Sequence, residues 1–230
     1  MMHRSYRSRK VEKCVIDFYK ALPENLRRFI FDIRKAVSTL ENCVLISYQE
    51  FAERHNTGVA EVIAYCESDT GCTCKEQNKN KYIVMFNDSQ YIPEESKAFT
   101  IAHELGHILI GHLTILESFK IFNSSDSNQH FEREANYFAA SVLSPAPVLS
   151  CLDPKSALAV RNISGLSLRA AEIVFKDYLN YDKNYNTEWH NNILALFDLA
   201  KIMPEKTIHT RNAEIIIPAH LFERAELDWI

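Results

Sequence analysis

Apolar residues recur at three- and four-residue steps through much of this chain, and that period predicts helices. Val11, Val15, Phe18, Tyr19 and Leu22 form one stripe, starting near Arg9 and broken at Pro23. A second helix is expected from Glu24, with Leu26, Phe29, Ile30, Ile33 and Val37 inward. A helical piece from Ser47 to Glu53 runs toward the turn residues Asn56-Thr57-Gly58. The texture then changes. Ala60 to Glu67 and Tyr82 to Asn87 are rich in Val, Ile, Tyr and Phe and read as antiparallel strands. The polar stretch from Ser68 to Lys81 between them, with Gly71, reads as a long hairpin loop. Helical spacing returns at Phe99, Ala102, Leu105, Ile108 and Leu109. Pro93, Glu94 and Glu95 suit the start of that helix and Gly111 its end.

Asn123 to Asn128 is expected to be a loop, followed by a helix from about Gln129 to Leu143 that Pro145 and Pro147 close. Further on, the pattern suggests a short helix at Ser156 to Val160. Ser167 reads as the N-cap of a helix over Leu168 to Leu179. Asn180 to Glu188 reads as a linker, Ile193 to Ile202 as a helix ended by Pro204, Ile215 to Ile217 as a strand and Pro218 to Asp228 as a helix. The fold class is therefore α+β, mostly helical, with a small antiparallel sheet beside the helix that follows Pro93. Three regions are expected: a helical one over 1–58, a core over 59–147, and a mostly helical one over 148–230.

Composition narrows the function. At 47% apolar and 24% charged residues, the 230-residue chain has the balance of a soluble globular protein. A formal net charge of -4 argues against direct nucleic-acid binding. Arg4, Arg7, Arg9 and Lys10 read as a solvated N-terminus. Without an apolar leader or a membrane-length run, a cytoplasmic location is expected, with the six cysteines reduced. Cys66, Cys72 and Cys74 lack the paired spacing of a zinc ribbon, and read as incidental thiols on a hairpin.

The candidate chemistry lies in the helix after Pro93, at His103-Glu104-Leu105-Gly106-His107. This is an H-E-x-x-H pattern. Histidines four apart share a helix face and can bind one zinc ion, with the glutamate beside them as general base on a metal-bound water. Catalytic zinc takes three protein ligands and keeps one position open. Leu113 stands six residues after His107, where a metzincin would carry its third histidine, and His112 lies on another face. Glu132, in the next helix, is the preferred third ligand, with Glu134 as the competing choice. Asn136, one turn after Glu132, can orient His103. Ala135, Ala139 and Ala140 are small enough for close helix packing. A neighbouring strand edge can hold an extended peptide across the metal. His190, His209, His220 and several tyrosines are available to stabilise an oxyanion, and the sequence does not choose among them.

The segments FTIAHELGHILIGH, from Phe99, and FEREANYFAASVLSP, from Phe131, resemble the ImmA/IrrE family of zinc metallopeptidases. The resemblance runs from about Ala60 to Pro147. It implies a gluzincin-like site with His103, His107 and Glu132 on zinc and Glu104 as base. It also implies a protein substrate, typically a helix-turn-helix repressor of a mobile element, phage or stress response, relieved by cleavage. Val142-Leu143-Ser144-Pro145 departs mildly from the family's L-L-M-P-like ending, and the chain after about Tyr181 matches nothing in it. Two other readings share these residues: a zinc-containing regulator that sequesters the repressor without cutting it, and a toxin-like member of a two-gene module.

Overall fold

Capping side chains set four of the helix starts among the described residues. A computed structural model of the chain describes residues 6–27, 29, 32–76, 81–113, 125–181, 187–197, 207–210 and 213–216. Helix α1, Tyr6–Ala21, stops before Pro23 as expected. The second helix does not start at Glu24. A single 3-10 turn spans Glu24–Leu26, and α2 is the short Ile33–Ser38. The Asp32 carboxylate accepts from the backbone N–H of Arg34 at 3.0 Å, which fixes the later start. Phe29, Ile33 and Val37 are buried as expected, and Ile30 lies outside the described residues.

An unexpected strand, β1, follows at Cys43–Ser47. Its last residue caps α3, Tyr48–His55, the Ser47 hydroxyl accepting from the Glu50 N–H at 3.1 Å. Asn56, at φ 51°, ends α3 in the left-handed conformation. The strand expected over Ala60 to Glu67 is instead helix α4, Val59–Cys66. Its β-branched composition reflects burial, not backbone preference. Val59, Val62, Ile63 and Cys66 recur at steps of three, four and seven, and this face packs on Ile46, Tyr48, Ala52 and Met85.

The sheet recruits other residues. Strand β2, Gly71–Lys75, lies in the stretch expected to be loop, and β3, Tyr82–Phe86, lies where expected. The order is β1-β3-β2, with β2 antiparallel to β3 and β1 parallel to it. The small sheet is therefore mixed rather than purely antiparallel, and among the described residues β2 is an edge. Helix α5, Glu94–Ile110, packs on β2 and β3 and ends at Gly111, φ 85°.

Helix α6, Ser125–Leu143, starts inside the expected loop. Pro145 and Pro147 do not merely stop it. They open α7, Ala146–Leu152, because a helix's first turn has no use for proline's missing N–H. Helix α8, Ala157–Ser164, is longer than expected, and α9, Leu168–Leu179, runs as expected from its Ser167 cap. Helix α10 spans Thr187–Leu196, and β4, Thr207–Thr210, pairs antiparallel with β5, Ala213–Ile216. Helix α10 starts inside the expected linker, well before the expected Ile193, and the remainder of that helix to Ile202 and the helix expected over Pro218 to Asp228 fall outside the described residues. Among the described residues no single helix is long and apolar enough to cross a membrane.

Two compact units result: Met1–Val15 with Asp32–Val142, and Ile16–Phe31 with Leu143–Ile230. The first holds the sheet, α5 and most of α6. In the second, α9 packs on α8 and α7, and Tyr19 meets Phe197 edge-on at 4.9 Å.

Two glycines permit the approaches that build the first unit. A Cβ at Gly106 would stand 3.1–3.3 Å from Phe138 and the Ala135 backbone, so α5 and α6 meet at small residues, as the alanines of α6 suggest. A Cβ at Gly71 would stand 2.5 Å from the Thr100 side chain and 2.9 Å from the Met85 carbonyl oxygen. Gly71→Ala is therefore expected to push β2 off α5 and destabilise the fold by about 1–3 kcal/mol, as overpacking does. Urea unfolding measures this, and an unchanged midpoint would refute the contact.

Candidate metal centre

The H-E-x-x-H residues and the first half of α6 come together at one end of the α5–β2 cleft. His103 Nε2 and His107 Nε2 are 3.1 Å apart. The Glu132 carboxylate closes the triangle, with Oε2 3.2 Å from His103 Nε2 and Oε1 3.4 Å from His107 Nε2. Ligands about 2.0–2.1 Å from a tetrahedral metal stand roughly 3.3 Å from one another. The three side chains thus have the spacing of a metal's coordination shell, and form a group able to hold an ion.

Their hydrogen bonds orient the lone pairs. His103 Nδ1 lies 3.0 Å from Asn136 Oδ1, an atom that only accepts, so Nδ1 carries the proton. His107 Nδ1 lies 3.1 Å from His112 Nδ1, and His112 Nε2 lies 2.9 Å from Glu134 Oε2. The carboxylate accepts from His112 Nε2–H, which leaves His112 Nδ1 to accept from His107. Both Nε2 atoms therefore present bare lone pairs to the same point as the Glu132 carboxylate. Three acceptors about 3 Å apart repel one another unless a cation lies between them. Burial, with His103 and His112 nearby, pushes the His107 imidazole down to about 3, which keeps it neutral and fit to ligate.

His112 has a role that its spacing in the sequence does not reveal. It is not among the converging donors. Instead it is fully buried and braces His107 from behind. Its position follows from the left-handed Gly111, which ends α5 and turns the chain back. Glu134, the competing ligand, faces away from the centre. One oxygen serves His112 and the other lies 2.9 Å from His130 Nε2, outside hydrogen-bonding orientation. A buried histidine five residues past the motif and an acid two past the ligand are a pair that only the fold connects.

Glu104 stands beside the donors, on the side facing β2. Its Oε2 accepts from the Thr73 hydroxyl at 2.8 Å. Burial raises the Glu104 carboxyl above the ordinary carboxylate range, with the Thr73 hydrogen bond and His103 pulling the other way. The cleft in front of it has a volume of about 500 Å³. Ser68, Thr70 and Thr73, together with Phe99 and Leu113, line it around the converging side chains. Of the other candidate residues, His190 hydrogen-bonds Tyr181 in the second unit, the His209 side chain is outside the described set, and so is His220.

An H-E-x-x-H helix against a small sheet, with a glutamate delivered by the following helix, is an arrangement of the metallopeptidase type. Residues 68–156 match the family model of the IrrE N-terminal-like domain, peptidase family M78. That segment is similar to the ImmA/IrrE family, as its motifs suggest, and the match supports a metallopeptidase-type function. It contains β2, β3, the metal helix and every converging donor. No curated protein and no solved structure gives a significant match.

Proposed function

We propose that the protein is a zinc-dependent endopeptidase, with His103, His107 and Glu132 as metal ligands and Glu104 as general base. The observation that carries this reading is the donor triangle of 3.1, 3.2 and 3.4 Å with Glu104 one residue from a ligand. Two imidazoles and one carboxylate suit zinc, which when bound would acidify a water and polarise a scissile carbonyl. Glu104 would take a proton from the attacking water and return it to the leaving amine. Its raised carboxyl range suits it to both tasks, and the Thr73 hydroxyl holds it toward the cleft. Asn136 and His112 keep the imidazoles in the ligating tautomer.

The cleft points to an extended peptide as substrate. Strand β2 is an edge, and its residues line the cleft beside Glu104. An edge strand offers a row of free N–H and C=O groups to a peptide laid alongside. Family resemblance supports a helix-turn-helix repressor as target and a cytoplasmic setting. The test is to incubate the zinc-loaded protein with a helix-turn-helix protein encoded beside it and analyse the products by mass spectrometry. Two fragments from a single cut are expected, lost on chelation and regained with zinc. Tight binding of an uncut repressor by the zinc-loaded protein would favour sequestration instead.

A further inference from the structure

Three thiols cluster where the end of α4 meets β2, packed on the core beneath the sheet. Cys66 is the last residue of α4, and Glu67, at φ 52°, turns the chain back toward the sheet. Cys72 and Cys74 follow two apart on β2, so both project from the strand's same face. Gly71 faces the other way, toward Thr100 and Glu104, and Thr73 bonds Glu104 there. The thiols pack against Ile46, Tyr48 and Met85, and all three remain partly open to solvent. Cys66 Sγ and Cys72 Sγ are 2.7 Å apart, less than an ångström from bonding distance.

We propose that Cys66 and Cys72 are a peroxide-reactive dithiol that closes reversibly to a disulfide, tying the end of α4 to the cleft's edge strand. One thiolate attacks hydrogen peroxide, forming a sulfenic acid and releasing hydroxide, which takes up the thiol proton as water. The second sulfur attacks the sulfenic sulfur, forming the S–S bond and expelling a second water. Two thiols are oxidised by two electrons and one peroxide becomes two waters.

Cys66 is the attacking sulfur. Cys74, burial and Cys66 together push the Cys72 thiol well up, so Cys72 keeps its proton, donates it toward Cys66 and serves as the resolving thiol. Cys72 and Cys74 are poor partners for each other. Two residues along an extended strand separate the Cα atoms by about 6.6 Å with parallel side chains, near the limit for a disulfide. Cys66, approaching from another element, has no such restriction. The site is chemically independent of the proposed peptidase reaction, and its reactivity stands or falls separately.

Peptide mapping of the whole protein after graded hydrogen peroxide and alkylation tests this. A Cys66–Cys72 linked peptide is expected, with loss of two alkylatable thiols and full return after dithiothreitol. Cys66→Ser and Cys72→Ser should each abolish the linkage, whereas Cys74→Ser should keep it. Two thiols that stay alkylatable, a link between other cysteines, or sulfinic acid without a link would each overturn the proposal.

Discussion

Glu104→Gln is expected to leave metal binding intact and lower the turnover of a cleaved repressor by about 10²–10⁴-fold, the usual contribution of a positioned general base. Glutamine keeps the shape and can still meet the Thr73 hydroxyl, so the wall between α5 and β2 should hold. It cannot take a proton from water. Paired measurements of bound zinc by atomic absorption and of cleavage by quantitative mass spectrometry separate the two effects. A variant that binds zinc and cuts at the wild-type rate would remove Glu104 from the mechanism. A variant that loses its zinc would show that the residue holds the site together instead.

The two glutamates of α6 should separate equally clearly. Glu132→Ala removes one of three protein donors and is expected to abolish stable zinc binding and all cleavage with it. Glu134→Gln leaves the donors in place but gives His112 a weaker and ambiguous partner. Loss of such outer support costs about 10–100-fold in metal affinity. Competition against a chromophoric zinc chelator measures both. The opposite ranking, with Glu134 indispensable and Glu132 tolerant, would exchange their roles. The geometry weighs against that, because Glu134 already has His112 on one oxygen and His130 beside the other.

The sequence exposed most of the chemistry because the ligands obey local rules. His103, Glu104 and His107 lie on one helical segment, so their relation is a matter of helix period. Asn136 follows Glu132 by one turn of the next helix, and that relation was equally legible. The same period is present in Val59, Val62, Ile63 and Cys66, but the segment's β-branched composition predicts a strand where the fold has a helix. The sheet is displaced by one element accordingly: β2 occupies the expected loop, and β1 has no strong signal of its own. A short strand is stabilised by its neighbours more than by its residues, so single-segment reasoning has little hold on it.

The H-E-x-x-H helix and its ends were determined by the sequence itself, because helix geometry converts spacing directly into direction, and the same spacing puts Glu132 and Glu134 on different faces of α6. The close approach of β2 to Glu104 through Gly71 and Thr73 was decided only by tertiary structure. So were the brace running from His107 through His112 to Glu134 and the meeting of Cys66 with Cys72. Each of these relations spans two separate elements or a reversal of the chain, where no local period operates. Packing brings such residues together, and packing is a property of the assembled elements rather than of any one stretch of sequence.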